Sequence, residues 1–498
     1  MRLPAFFLLA CAFPALSAPR FESAVVCYTC HSNLTADARN VAPYTLWLGT
    51  MMANSARDPY WKAKVRQETV LNPNAVAVIE DKCLRCHAPA QQYAFRERNQ
   101  HMPLAELNAT GEQGVTCTVC HQITAEGLGR KSNFTGNFVL SRDNKIFGPH
   151  KDPFSMPMQH HTEYEPAYSK HVLESAFCAT CHTVITPTLT AEGKVAGEFL
   201  EQAPYLEWLV SDYAREGKTC QSCHMPQLGS PAYIAHRPPG GPFPPTSPRT
   251  PFGLHYLVGA NVRGPEMLTE LFPERGPDYA ATSARAESML SRALELKLSA
   301  SRANPRELSV EVRNLTGHKL PTAFPSRRLW LHVTALDSNG RTLFESGAID
   351  AATSEIRGLK VSPDHLQRVT SPDQVIIYEA ELADAAGNPT NSLLRAASYR
   401  KDNRILPHGF DLKRKLPDGL NTALLAPAGT AADKDFVPGS DRVSYLLPQD
   451  SATVVVEALY QSIKPSHATN SKNFADLYRR HSQPVIAATA KMQLTQTR

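Results

Sequence analysis

Five copies of Cys-x-x-Cys-His occupy the first half of this 498-residue chain: Cys27-Cys30-His31, Cys83-Cys86-His87, Cys117-Cys120-His121, Cys178-Cys181-His182 and Cys220-Cys223-His224. Two cysteines three positions apart reach the two vinyl groups of one porphyrin and form thioethers. The histidine that follows then lies under the iron and offers an imidazole nitrogen as proximal ligand. At this composition chance supplies roughly 0.01 such match in the chain, so five are a designed set. The alternative chemistry for Cys-x-x-Cys is a zinc knuckle or a redox dithiol, and neither requires a histidine after every second cysteine. The motifs therefore predict five covalently bound haem c groups and a chemistry of electron movement.

The remaining cysteine, Cys11, falls in an N-terminal apolar stretch. Arg2, the apolar run Leu3–Leu16 and the small residues Ala15, Ser17 and Ala18 read as a secretory signal peptide over 1–18. That run is too short and too broken by proline to span a membrane well. Once it is removed no cysteine is left for a disulfide. No later segment has eighteen continuous apolar residues, so the sequence predicts a soluble exported protein of the periplasm, the outer-membrane surface or the cell surface. The formal charge of +5 is largely offset once each haem brings two propionates. No Lys/Arg cluster is interleaved with aromatics, which argues against nucleic-acid binding.

The elements that must position these motifs divide into two parts, an α+β organisation. Residues 19–292 carry every motif and form a mostly helical, loop-rich pentahaem domain, with helices expected over 44–56, 59–70, 164–182, 203–216 and 278–293. The stretch 236–252 holds seven prolines with Gly240 and Gly241, and is expected to be a loop wrapped over the haem stack. Residues 293–465 hold seven β-rich runs separated by turn signals such as Asn339-Gly340, and predict an antiparallel β-sandwich-like domain. The strands are expected over 294–301, 307–314, 329–336, 341–346, 375–382, 443–447 and 453–460. Residues 466–498 are expected as a helical tail.

Several stretches resemble a family. Trp47-Leu-Gly-Thr-Met-Met-Ala53 with Ala56-Arg57-Asp58-Pro59, Gly114–His121, Ser175–His182, Thr219–Pro226, His255–Asn261 and Asn314–Thr322 are similar to segments of the multihaem cytochromes c related to the tetrahaem electron-transfer partner of hydroxylamine oxidoreductase. The resemblance spans roughly 30–465 and implies covalent haem, a multihaem architecture and a role in electron transfer. Members include both carriers and enzymes. Met52 stands where the resemblance implies a distal histidine, and a thioether there would raise that haem's potential.

The sixth ligand decides the chemistry, because an iron with two protein ligands passes electrons and an iron with one can bind a substrate. Thirteen histidines remain beyond the proximal five. The distal candidates are His255 and His318 foremost, then His160 or His161, His150 and Met52. His171, His236, His101 and His408 are reserves, and His332 and His365 read as ordinary strand and loop residues. The sequence thus predicts an exported pentahaem electron carrier serving redox partner proteins or a terminal acceptor. Two rivals stand beside it. One is an oxidoreductase acting on a small nitrogen or sulfur species at an open haem; the lysine that pentahaem nitrite reductases carry in place of one proximal histidine is missing from these motifs. The other is a component of an electron conduit, with the β domain serving partner or surface assembly.

Overall fold

The computed structural model describes residues 21–190, 192–237, 241, 246–301, 304, 306–359, 363–468 and 472–494. The leader expected over 1–18 and part of the proline-rich loop lie outside these residues. The first half is built of short helices and small hairpins, the second of two packed sheets.

Each motif lies on a helix: Ala24–His31, Val76–His87, Cys117–Gln122, Ser175–His182 and Cys220–His224. The helical turn places both cysteines on one side, with the histidine following beneath them. Two starts are capped by side chains, since Ser23 accepts from Val25 N–H and Thr116 from Val119 N–H, satisfying donors that would otherwise be orphaned. The helices expected over 59–70 and 278–293 form as Pro59–Leu71 and Gly276–Leu290. Two others are shorter than expected. Helix covers only Pro43–Leu48 of 44–56, and 164–182 begins as strand Glu165–Tyr168 and a 3-10 turn before helix Ser175–His182. Pro166 explains the second case, because it lacks an N–H and biases the residue before it away from helix. The 203–216 segment breaks into Pro204–Leu209 and Asp212–Arg215.

The strands of the second half are β1 (Leu294–Ala300), β2 (Glu307–Asn314), β3 (Arg328–Leu336), β4 (Thr342–Ser346), β5 (Ile377–Ala383), β6 (Ser398–Asp402), β7 (Ser440–Leu446), β8 (Thr453–Gln461) and β9 (Val485–Gln493). One sheet runs β5-β3-β8-β9, with β4 also pairing β3 and β6 pairing β5; the other runs β7-β2-β1. All these pairs are antiparallel. Alternation in β2 points Leu308, Val310 and Val312 inward at 0% exposure, where they meet Leu331, Val333, Val454 and Val456 of the facing sheet.

Within 466–498, expected as a helical tail, helix occupies Lys472–His481 and strand β9 follows, paired with β8 from Thr453↔Gln493 to Tyr460↔Val485. Nor does the sandwich core stop at residue 293. Val258, Val262, Ala286 and Leu290 of the first half belong to the same buried cluster as Leu308 and Val456.

Candidate cofactor-binding site

All ten motif cysteines and all five motif histidines line one cavity of about 1660 Å³. That is well beyond the roughly 300–1,000 Å³ of a pocket built for a single ligand. Its wall is largely apolar, and elements from both halves close it, from Trp47 and Trp61 to His318 and Tyr460.

The histidines are prepared as ligands. His31 donates Nδ1–H to the Ile234 carbonyl at 2.7 Å, His87 to Ser55 at 2.9 Å, His121 to Phe147 at 2.7 Å and His224 to Val258 at 2.6 Å. A proton on Nδ1 leaves Nε2 bare and aimed away, the tautomer a metal requires. Burial holds these rings neutral. It pushes His87 and His182 down to about 4, and lowers His31, His121 and His224 in the same direction. The Trp61 ring stacks on His87 at 4.6 Å and 7°, fixing the rotation of that imidazole. Asp58 caps the helix that carries Trp61, accepting from the Tyr60 N–H at 2.9 Å.

Two candidate distal histidines face two proximal ones. The His255 ring stands 6.3 Å from that of His121, inclined by 25°, and the His318 ring 6.4 Å from that of His224, inclined by 22°. An imidazole nitrogen sits about 2 Å from a bound metal and about 1.2 Å from its own ring centre, so two rings sharing one metal stand about 6.3 Å apart. The spacing is therefore that of two imidazoles with one iron between them. His255 and His318 also donate Nδ1–H to carbonyls, Gly253 at 3.2 Å and Lys319 at 2.9 Å, and burial holds both near 4. The donor set fits haem at both places.

The other candidates are placed differently. Met52 lines the cavity and packs with Val115 and Val119, its carbonyl accepting from Val115 N–H at 3.0 Å. His150 and His161 line the cavity, whereas His160, their neighbour on helix Met156–Thr162, does not. His171 is committed elsewhere, since Nε2 meets the Ile123 carbonyl at 2.8 Å and Nδ1 meets Ser169 Oγ. His101 pairs with Glu80 at 3.1 Å and His408 with Asp212 at 2.9 Å. His236, held only in reserve by its sequence context, has a buried Nε2 with no hydrogen-bond partner and lies close enough to His31 to depress it. Its backbone N–H bonds the Cys30 carbonyl at 2.9 Å. No local signal announces this, because the neighbourhood is made by chain return across two hundred residues.

The cysteines show how the motifs adjoin. Cys27 lies beside Cys117, Cys86 beside Cys181, and Cys178 beside Cys220. Cys120 and Cys181 are in electrostatic reach of each other. Motif 1 thus adjoins 3, 3 adjoins 4, and 4 adjoins both 2 and 5. Burial pushes the Cys120 thiol up to about 12, and thioether formation removes that titration altogether. Cys223 is the exposed member of the ten, and the other nine are partly buried.

A family model for cytochrome c554 and c-prime matches residues 26–122. No curated protein sequence matches the chain significantly. Among solved structures, a penta-heme cytochrome c552 from Thermochromatium tepidum superposes with a TM-score of 0.53 at 18% identity, covering 95% of this chain and 98% of that one. The chain has the fold of a multihaem c-type cytochrome. That likeness extends through the β half as well as the motif half, so the two-part α+β architecture is common to both proteins.

One cluster outside this multihaem cavity draws attention. His365, Asp433 and Asp441 present ligand atoms within 4.8 Å of one another in the β half. The Asn403 amide decides its chemistry. Its Oδ1 accepts from Glu379 N–H at 2.9 Å and its Nδ2 donates to the Ile377 carbonyl at 2.7 Å, so the amide cannot flip. The same Nδ2 donates to His365 Nδ1 at 3.1 Å. Nδ1 is therefore bare, and Nε2 carries the proton that Asp433 accepts at 2.8 Å. The imidazole is spent as a donor, and the group reads as a structural hydrogen-bond relay.

Proposed function

We propose that the protein is an exported carrier that binds five haem c groups and relays electrons between redox partner proteins. The observation that carries this reading is the two opposed imidazole pairs, His121/His255 and His224/His318, at the spacing of one shared iron. Haem supplies the redox couple when bound. The chain's residues supply thioether anchors, neutral imidazoles oriented by backbone carbonyls, and an apolar wall that keeps water from the rings. An iron held by both imidazoles of such a pair would have no position left for a substrate, which favours transfer over catalysis. The contiguous motifs give a path 1-3-4-5 with 2 as a branch; its ends are motif 1 and motif 5, and motif 5 carries Cys223, the exposed cysteine of the ten. Those ends are where partner proteins would dock. No helix among the described residues is long and apolar enough to cross a membrane. The leader over 1–18 supports export to the periplasm or the outer surface, where haem c is attached.

The test is electron paramagnetic resonance on the purified, haem-loaded protein, with haem content per chain measured alongside. Five haems, with low-spin signals from at least the third and fifth, are expected. Two or more high-spin irons would sink the pure-carrier reading in favour of an oxidoreductase acting on a small nitrogen or sulfur species.

A further inference from the structure

We propose that Glu207 is the positioning residue for the His318 ligand: its carboxylate, set in the motif half, fixes the turn of the β half from which that imidazole reaches His224. The inference rests on the reading that His224 and His318 share one iron.

Glu207 lies on helix Pro204–Leu209, fully buried at 0% exposure. Its Oε2 accepts the backbone N–H of Lys319 at 3.1 Å and the hydroxyl of Thr322 at 2.5 Å. The Lys319 N–H belongs to the peptide unit that joins His318 to Lys319. The carbonyl of that same unit accepts from Asn314 Nδ2 at 2.7 Å and from Thr316 Oγ1 at 2.9 Å. The peptide is thus held at its oxygen by the β half and at its nitrogen by the motif half. One residue on, the Lys319 carbonyl takes the His318 Nδ1–H at 2.9 Å. Peptide plane and ring orientation are set by one continuous chain of bonds that begins at Glu207.

What keeps a carboxylate in this dry place is a balanced set of charges. The Arg404 guanidinium lies 3.4 Å from Glu207 Oε1 and clasps Asp402 with two bonds, at 2.7 and 2.8 Å. Lys319 closes the set, its ammonium 2.5 Å from Asp402 with 1% of its side chain exposed. Two cations thus stand against two anions. Removing one member leaves the others buried and uncompensated. Groups that orient a metal ligand from behind typically change its affinity about 10–100-fold when lost.

The test uses the full-length, haem-loaded protein, reading the high-spin signal and carbon monoxide binding after reduction. His318→Ala is expected to open one iron of the five. Glu207→Ala is expected to open the same iron in part, with carbon monoxide competing against His318 roughly 10–100-fold better than in the parent. Thr322→Val, which removes a single bond to Glu207, is expected to shift in the same direction by less. Glu207→Gln removes one of the two anions but keeps an acceptor for Lys319 and Thr322, and is expected to rescue most of the low-spin state relative to Glu207→Ala. An iron that opens in His318→Ala while Glu207→Ala and Thr322→Val stay low-spin and inert to carbon monoxide overturns the inference. If Glu207→Ala does not accumulate, an unchanged Thr322→Val does the same, as does a failure of Glu207→Gln to rescue. If His318→Ala opens no iron, the pairing with His224 falls, and the inference falls with it.

Discussion

The imidazole at position 255 opposes His121 at 6.3 Å, and this gives a sharp expectation. His255→Met places a thioether where an imidazole stood, and a His/Met iron is more oxidising than a bis-histidine one. One of the five midpoint potentials is expected to rise on the order of 100 mV, inside the ~0.8 V range that axial ligands span. A redox titration with all midpoints unmoved would remove His255 from the ligand set. A second expectation concerns Asp441, which burial raises from 3.8 to about 6 in the folded protein. A carboxyl whose folded value is raised favours folding fully below the unfolded value, and that contribution is lost as pH rises through about 6. At pH 7–8 the ionised group therefore costs about 3 kcal/mol as an upper figure. Asp441→Asn still accepts from the Tyr378 hydroxyl, now at 2.7 Å, so the melting temperature is expected to rise at pH 7–8 and not at pH 4. Equal shifts at both pH values would show that Asp441 titrates as an exposed acid.

How each element positions its residue explains what the sequence could disclose. The cysteines and proximal histidines are legible because their chemistry is local, five residues on one helical turn. The seven expected strands are legible because β-branched residues alternate with polar ones, as in Val310 and Val312. β9 is not, because Val485-Ile-Ala-Ala-Thr-Ala-Lys-Met-Gln493 contains small residues whose side of the sheet is decided by β8 rather than by hydrophobicity. Distal ligands are the least legible, since they depend on which turn returns to which helix. The turn bearing His318 shows this, for Gly317 is pressed against the motif half. A Cβ there would sit 3.1 Å from Tyr213 Cγ and 3.2 Å from Trp208 Cδ1. Gly317→Ala is expected to cost about 1–3 kcal/mol through overpacking and to displace His318 with it. Thermal melts check the first effect, and a new high-spin signal checks the second. A destabilised variant that stays wholly low-spin would mean that the turn yields without moving the ligand.

At the scale of the molecule the two halves share one interior. Helix Gly276–Leu290 buries Ala286 and Leu290 against Leu308, Val310 and Val456 of the sandwich, and the His318 turn enters the motif half under a four-charge clasp. A sandwich cut free at residue 293 would lose the cover over this face and expose it to water, at roughly 1.5–3 kcal/mol for each large side chain uncovered. The clasp around Arg404 would also lose Glu207 and leave a buried cation short of its partner, an arrangement that is strongly destabilising. A fragment of residues 293–494 is therefore expected to aggregate or to lack a cooperative melt. A fragment of 276–494, which keeps the covering helix, is expected to be more soluble yet still less stable than the whole chain. Thermal melts and sedimentation of the two fragments beside the full protein distinguish the cases. A monomeric 293–494 fragment melting as sharply and as high as the intact chain would make the β half an independent domain, and would leave His318 as a contact made by docking rather than by folding.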